Sequence, residues 1–422
     1  MKEIEQLLSD IIIPPLVRVR QQFPRAILND VAAAVRNELN KPGLLDRVRP
    51  GDSVAVTAGS RGIANLALIL REIAGLLKQA GASPFIVPAM GSHGGATADG
   101  QIDVLAGLGI TPESVDMPIR ASMEVVDLAN VGEQPAYFAQ TAFAADHVIA
   151  VGRIKPHTSF RGAYESGIAK MIAIGLGKQR GADLCHQLGL ARMSERIEKI
   201  ARIAIEKTNI LGGVAILENA YDETCRIVAL SAGEILAAEP ALLAEAKSFM
   251  PRVYLNHSDV LIVDEIGKNI SGTGMDPNII ERYTTPLLPD TDKFQRIAVL
   301  DLSRASKGNF YGLGLADTCT RRLYERINFA ETYPNSLTSR VIRSVTIPMV
   351  LDNDRQAIQS AIQTCVNLDP RNVRMIRIKN TLQLEEIWIS PALMAEAIHH
   401  PNLEVMGEPA PLLFDQDGNI VK

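Results

Sequence analysis

Cysteine is scarce in this sequence, and the cysteines that are present show no paired spacing. The chain of 422 residues contains four of them, which lie far apart: Cys185, Cys225, Cys319 and Cys365. Structural zinc sites and disulfide-rich secreted domains both have characteristic cysteine spacings, so neither is expected here. The prediction is a protein of a reducing compartment, with the cytoplasm as its location.

Long hydrophobic runs and an excess of one charge are also missing. The longest apolar runs, such as residues 146–151, have the length of a strand and are too short to cross a bilayer. The N-terminal segment MKEIEQLLSD is acidic and amphipathic, which is not the pattern of a secretory signal. The 43 Lys and Arg residues nearly balance 48 Asp and Glu residues, for a net charge of −5. We therefore predict no membrane partner and no nucleic-acid partner.

The sequence does contain short apolar runs that alternate with helical patterns. Residues 53–57 are an expected strand, 58–62 a turn, 63–80 a helix and 84–88 the next strand. This order is the βαβ pattern of a parallel sheet, whose ligand sites lie in the loops after the strands. Further strands are expected at 147–151, 211–217, 260–265, 296–300 and 374–378.

The length and the position of Pro251 predict two domains. The 422 residues exceed the usual size of one domain, about 150 residues, and Pro251 follows a helical pattern at 238–248. We expect an N-terminal α/β domain, residues 1–250, that carries the main site, and a C-terminal α/β domain, residues 251–422. The predicted fold class is two α/β domains with mainly parallel sheets and an active-site cleft between them.

Two glycine-rich loops after expected strands carry candidate site residues. Ser60 and Arg61 precede a helix, where backbone N–H groups, a hydroxyl and a guanidinium suit a phosphate or carboxylate. The alternative for this loop is a tight turn with an exposed arginine. His93 lies among three glycines, so a ligand can approach it closely as a general base or a metal ligand. The alternative for His93 is a turn histidine that bonds to the backbone.

The segment 152–170 is the richest in reactive groups, because a histidine, several cations and a carboxylate follow a buried strand. His157 lies in its middle, and Lys170 ends it within a run of small and apolar residues. Burial favours the neutral, nucleophilic form of a lysine, so Lys170 is a candidate for covalent attachment of a carbonyl group. His186 follows 16 residues later (186 − 170). Taken singly, Lys170 and His186 also fit structural roles, such as a lysine whose apolar stem packs along a helix. His147, at the start of a strand, is interpreted as structural.

At these loops the sequence resembles the nickel-pincer lactate racemase family, which includes other 2-hydroxy-acid racemases and epimerases. The resemblance spans the N-terminal domain well and the C-terminal domain loosely. Family members hold nickel in pyridinium-3,5-bisthiocarboxylic acid mononucleotide, the nickel-pincer nucleotide. The matching positions are Ser60-Arg61, Gly91-Ser92-His93, Pro156-His157, Gly167, Lys170 and His186.

The resemblance implies how a cofactor would be held. Lys170 would form a thioamide with the nickel-pincer nucleotide, and His186 would complete the coordination of nickel. Arg61, with Ser60, would grip the cofactor phosphate. Nickel bound by sulfur and imidazole donors is a chemically sensible set.

The resemblance also implies the catalytic residues. His93 and His157 would be the two acid/base histidines, one for each hand of a 2-hydroxy acid. Lys268, in a glycine-rich loop of the C-terminal domain, would face the substrate carboxylate; the alternative for this loop is an ordinary turn after a strand. Proteins that synthesise the cofactor are implied as partners, and a homo-oligomer is left open.

Departures from the racemase pattern indicate a divergent subgroup that acts on another substrate. No acidic residue stands beside Arg61 in Gly59-Ser60-Arg61-Gly62. His93 is followed by Gly94-Gly95, where the racemase has an Arg-Pro pair. These differences concern the substrate and leave the residues assigned to the cofactor in place.

Two other functions are compatible with the same residues. A zinc-dependent hydrolase or lyase would use His93, His157 and His186 as metal ligands and would have no use for Lys170. A non-catalytic protein of the same fold would bind the nickel-pincer nucleotide without turning over a substrate.

Overall fold

The computed structural model describes residues 2–132, 134–187 and 189–421. Within these ranges the chain forms fifteen strands and fifteen α-helices. The strands are β1 (Leu16–Gln21), β2 (Ser53–Ala58), β3 (Ser83–Pro88), β4 (Val125–Val131), β5 (Gln134–Ala139), β6 (His147–Arg153), β7 (Ile210–Glu218), β8 (Thr224–Ser231), β9 (Ser258–Val263), β10 (Phe294–Val299), β11 (Thr318–Thr320), β12 (Met349–Leu351), β13 (Met375–Ile378), β14 (Glu386–Ile389) and β15 (Leu403–Ala410).

The helices include one π-helical turn, Met171–Gly175, which directly continues a short α-helix. The α-helices are α1 (Lys2–Leu8), α2 (Val31–Leu39), α3 (Leu66–Gln79), α4 (Ala98–Gly107), α5 (Pro112–Val115), α6 (Gln140–Phe143), α7 (Ile168–Lys170), α8 (Lys178–Gln187), α9 (Met193–Lys207), α10 (Ile235–Phe249), α11 (Pro277–Ile280), α12 (Arg321–Glu325), α13 (Phe329–Ser339), α14 (Asp354–Gln363) and α15 (Met394–His399). Among the described residues, no helix is both long and apolar enough to cross a membrane.

The chain folds into two compact units. The central unit is Pro24–Met250, and the terminal unit combines Met1–Phe23 with Pro251–Lys422. The sequence-based division differs at the N-terminus, because it places residues 1–23 in the N-terminal domain. The structure places them with the C-terminal segment because β1 pairs with both β14 and β15.

The central unit is built on a five-stranded sheet with the order β3-β2-β6-β7-β8. Its first four strands are parallel, and β8 pairs antiparallel with β7. Residues 148–152 of β6 are all buried, as expected for a strand covered on both faces. The prediction of α/β units with mainly parallel sheets is thus confirmed.

Helices cover both faces of the central sheet. On one face α3 buries Ile69, Leu70 and Ile73, and on the other α9 buries Ile197 and Ile200. Parallel β2, β3 and β6 all end at the same edge, so the loops that follow them emerge there together. Those loops carry Ser60, Arg61, His93 and His157.

The terminal unit contains an eight-stranded sheet with the order β12-β11-β10-β9-β13-β14-β1-β15. The strands from β12 to β13 are parallel, and β14, β1 and β15 add an antiparallel edge. Lys268 lies in the loop after β9, the first parallel strand of this unit along the chain.

Candidate functional site

A buried carboxylate organises the loop that carries His157. Glu165 is fully buried, and its Oε2 accepts the backbone N–H of His157 at 2.7 Å. Its Oε1 receives Lys247 Nζ at 2.7 Å, and the guanidinium of Arg161 lies 3.6 Å from Oε2. Arg161 also donates to the carbonyl of His157. The carboxylate of Glu165 and its partner Arg161 therefore hold both the N–H and the carbonyl of His157, which fixes the backbone of that residue.

The imidazole of His157 is held in one tautomer. The N–H of Ser159 donates to Nδ1 at 3.1 Å, so Nδ1 is an acceptor and the neutral ring carries its proton on Nε2. Burial lowers the pKa of His157 well below its usual value, and the charges of Lys170 and His186 lower it further. At neutral pH, the ring of His157 is therefore uncharged, and its Nε2–H can donate a hydrogen bond. The ring of Phe160 stacks on it at a centroid distance of 4.2 Å.

Lys170 shares this environment. Burial, followed by the charge of Arg61, lowers the pKa of Lys170 to about 7, while Glu165 acts in the opposite direction. Its Nζ lies 6.0 Å from the centroid of Phe160, so that ring contacts both Lys170 and His157. About half of the molecules then carry a neutral amine at pH 7, in contrast to an ordinary lysine.

The segment around Lys170 is fixed from two sides. Glu239, which is almost fully buried, accepts the N–H of Ala169 at 2.8 Å through Oε2. On the other side, Met171 lies against Gly59 and Gly152, where a Cβ would stand 3.0 Å and 3.3 Å from its Cε. The two glycines let the loop after β2 and the end of β6 approach the helix of Lys170.

Several cations surround Lys170 at this edge of the sheet. Arg61 and Lys155 lower its pKa, and Arg153 lowers that of Arg61, after the effect of burial. Arg153 pairs with Glu218. Because the charges of Arg61 and Lys155 disfavour the protonated form of Lys170, this edge suits an anion such as a phosphate.

The loop of His93 packs against the same helical segment. The N–H of Gly91 donates to the carbonyl of Gly175, at the end of the π-helical turn, at 3.3 Å. His93 Nδ1 lies 2.8 Å from the carbonyl of Met90, which only accepts hydrogen bonds. Nδ1 therefore carries a proton, and Nε2 of the neutral ring is an acceptor. His93 and His157 thus adopt opposite tautomers.

The structure places the other predicted residues as follows. His186 lies in the last turn of α8 and acts electrostatically on His157. The backbone carbonyl of Ser60 accepts a hydrogen bond from the guanidinium of Arg61. The role of the Ser60 hydroxyl stays a prediction. Lys268 belongs to the terminal unit, where its Nζ donates to Gly272 O at 2.7 Å and lies 4.2 Å from the ring centroid of Tyr311. Its predicted role toward a substrate also stays a prediction.

The structure contains no preassembled metal centre in the part of the chain that it describes. Over residues 2–132, 134–187 and 189–421, no three or more His, Cys, Asp or Glu side chains are placed to hold a metal ion together. His147, the histidine that was interpreted as structural, begins β6, whereas the loop of His157 follows the other end of that strand. Its Nε2 lies 3.1 Å from Oδ2 of Asp52.

Sequence reasoning did not identify the buried polar residues behind the site. Glu165 was visible as one carboxylate among several polar residues, whereas Glu239 and Lys178 were not singled out. A charged residue inside an apolar helical run is the one signal that indicates such burial. Its partners are set by tertiary contacts.

Comparison with known proteins identifies the N-terminal part of the chain. Residues 18–198 match the family model for the lactate racemase N-terminal domain, and that range contains every predicted site residue of the central unit. This part of the chain is therefore similar to the lactate racemase N-terminal domain. No curated protein matches the chain in sequence.

Two solved structures resemble this chain in fold. The lactate racemase apoprotein from Thermoanaerobacterium thermosaccharolyticum has 13% sequence identity and a TM-score of 0.51, over 87% of this chain and 99% of that chain. A protein from Thermotoga maritima has 11% identity and a TM-score of 0.50, over 83% and 97% of the two chains. The family match supports a racemase-type isomerase activity for this chain.

Proposed function

We propose that this protein is a racemase or epimerase of a 2-hydroxy acid that works with a lysine-linked nickel-pincer nucleotide. The observation that carries the proposal is Lys170, whose pKa falls to about 7 in a site that is otherwise rich in positive charge. A lysine must be neutral to attack a carbonyl-type carbon.

The residues present fit the cofactor. Lys170 would carry the covalent bond, and His186, eleven residues beyond the π-helical turn (186 − 175), would offer an imidazole nitrogen to nickel. Arg61, whose pKa is lowered by burial and by the charge of Arg153, would gain an anionic partner from the phosphate. When bound, the cofactor supplies the acceptor for the hydrogen on the substrate carbon.

The two histidines would handle the hydroxyl proton. Removing hydride from a 2-hydroxy acid while a base takes the hydroxyl proton gives a planar 2-oxo acid, to which hydride can return on either face. His93 in the neutral form offers Nε2 as an acceptor for the hydroxyl proton. His157 presents Nε2–H as a hydrogen-bond donor to the substrate oxygen, and it would act as an acid only after it has itself taken up a proton.

The test is a screen of 2-hydroxy acids for loss of optical purity, with protein made together with the cofactor-synthesis proteins. Intact-mass measurement on the same sample is expected to show added mass that maps to Lys170. Lys170→Ala should lose both the added mass and the turnover, whereas Lys207→Ala, at an exposed position that ends α9, should lose neither.

Each rival function gives a different result in this experiment. A zinc-dependent hydrolase or lyase would bind a free divalent ion and keep it in Lys170→Ala. A non-catalytic carrier would show the added mass without racemising any acid. Either result contradicts the proposed function.

A further inference from the structure

Lys178 is a buried cation that the proposed function does not use. It is the first residue of α8, has a φ of +53° and is 1% exposed. Burial lowers its pKa to about 8, so it is still mostly protonated at pH 7. A buried ammonium group must give its hydrogens to oxygen atoms. Nζ donates to the carbonyl of Pro88 at 2.6 Å and to Oε1 of Gln101 at 3.1 Å.

Gln101 links Lys178 to the loop of His93 through hydrogen bonds. Its side chain is fully buried in α4, and its Nε2 donates to the carbonyl of Gly91 at 3.0 Å and to that of His93 at 3.3 Å. Because an ammonium group only donates, Oε1 must face Lys178, and the amide hydrogens must then face the loop. A flipped amide would set hydrogens against hydrogens and oxygen against oxygens. Lys178 therefore determines which way Gln101 points.

The loop needs such an anchor because its backbone is rich in glycine. Gly91, Gly94 and Gly95 all have positive φ values, which glycine adopts at little cost but does not hold by itself. Between them, the bond of His93 Nδ1 to the Met90 carbonyl is local to a single turn. The bonds from Gln101 tie this turn to α4.

Lys178 also connects the loop to the helix of His186. The two residues lie at opposite ends of α8. A Cβ on Gly91 would stand 3.3 Å from Ala182, on the same helix. The helix that carries one predicted functional histidine thus meets the loop that carries another.

We infer that Lys178 and Gln101 form a positioning pair that holds the turn of His93 in place relative to α8, and so preserves the bond to the Met90 carbonyl that sets the tautomer of the imidazole. Neither residue touches the reacting atoms. This inference rests on the acid/base role of His93 in the proposed function.

The test compares two single variants with two surface controls. Gln101→Glu keeps an acceptor for Lys178 but cannot donate to the carbonyls of Gly91 and His93. It therefore tests the bonds to the loop separately from the bond to Lys178. Lys178→Met removes the ammonium group and frees the amide to turn. The controls are Lys207→Met and Gln79→Glu, both at exposed positions that end helices.

Two measurements on the protein without cofactor decide the matter. Hydrogen exchange of the amides of residues 91–95 should speed up about tenfold more in Gln101→Glu than that of the amides of β7, which report on global unfolding. Nitrogen NMR of histidine-labelled protein, with the His93 signal assigned through His93→Gln, should show one tautomer in the wild type and a mixture in both variants. Exchange and tautomer at wild-type values in Gln101→Glu would overturn the inference.

A double variant and kinetics complete the test. Lys178→Met combined with Gln101→Glu should change exchange no more than the stronger single change, because both act through one contact; additive changes would contradict the pair. With loaded protein, Gln101→Glu should lower kcat about tenfold and leave KM within about twofold. If the loaded wild type racemises no 2-hydroxy acid, the proposed function fails, while the exchange and NMR results still decide the positioning role.

Discussion

The buried carboxylate of Glu165 accepts the backbone N–H of His157 at 2.7 Å, eight residues back along the same loop. The position of a proposed acid/base group is therefore set by a charge that the loop itself supplies. Lys247, from α10, binds the second oxygen of that carboxylate at 2.7 Å. A surface cation thus stabilises the buried anion, and the anion holds the loop.

Replacement of Glu165 by alanine should destabilise the protein. It leaves the N–H of His157 and two cations without their acceptor, and the expected cost is about 2–3 kcal/mol, because Lys247 and Arg161 keep some solvent. Urea unfolding measures it. Glu195→Ala removes an exposed carboxylate that pairs with Arg192 and Lys199 and should cost much less, because solvent screens such pairs. Equal costs for the two variants would contradict an anchoring role for Glu165.

Lys170 should react with amine reagents at a pH where other lysines do not. With a pKa of about 7, its neutral fraction rises only about twofold between pH 7 and pH 9, whereas that of an ordinary lysine rises about a hundredfold. Trinitrobenzenesulfonate labelling of protein without cofactor, followed by peptide mass spectrometry, gives the rate at each lysine.

A short lysine-containing peptide, added to the same reaction, serves as the reference in that experiment. Its rate should follow the steep rise with pH, so the ratio of Lys170 to peptide labelling should fall about fiftyfold from pH 7 to pH 9. A constant ratio would mean that Lys170 is protonated like a surface lysine, and the main support for covalent attachment would be lost.

Glu239 should make stability depend on pH. Burial raises the pKa of Glu239 to about 7, so between its unfolded value, about 4.5, and 7 the folded protein holds a proton that the unfolded chain has released. The free energy of unfolding should therefore fall as pH rises through this window, by up to about 3 kcal/mol. Above pH 7 no further loss is expected from this group.

Glu239→Gln provides the matched comparison. Glutamine keeps an oxygen that can accept the N–H of Ala169 but never ionises, so it should match the wild type near pH 5 and be more stable at pH 8. Denaturant unfolding at both values measures the difference. If the variant follows the wild type at both pH values, the carboxyl of Glu239 does not titrate in this window.

Most of the central sheet could be predicted because its strands are short, continuous apolar runs that end in turn residues. β2, β3, β6 and β7 were all located from this pattern within one to two residues of their bounds. The pairing of β1 could not be predicted, since its partners lie more than 360 residues away in the chain (386 − 21). Local sequence patterns carry no information on contacts between residues so far apart in the chain.

The same division applies to the candidate site. His157 and Lys170 could be singled out because each is a reactive side chain in an unusual local setting, one in a polar loop and one in an apolar run. Lys178 also lies in a glycine-rich run, but its function depends on Pro88 and Gln101, which only the fold brings to it. Glu239 is similar, because its partner Ala169 is 70 residues earlier.

The two neighbouring glycines beside His93 should differ sharply in their tolerance of alanine. Gly94 and Gly95 have φ values of +68° and +62°, so alanine is strained at both. A Cβ at Gly94, however, would stand 2.4 Å from the backbone carbon of Gly100 in α4, whereas at Gly95 nothing lies within 4 Å. Gly95→Ala should cost about 1 kcal/mol from backbone strain alone, and Gly94→Ala about 2 kcal/mol more because the loop must leave α4. Denaturant unfolding of both variants measures this difference, and equal costs would show that the loop is not pressed against α4.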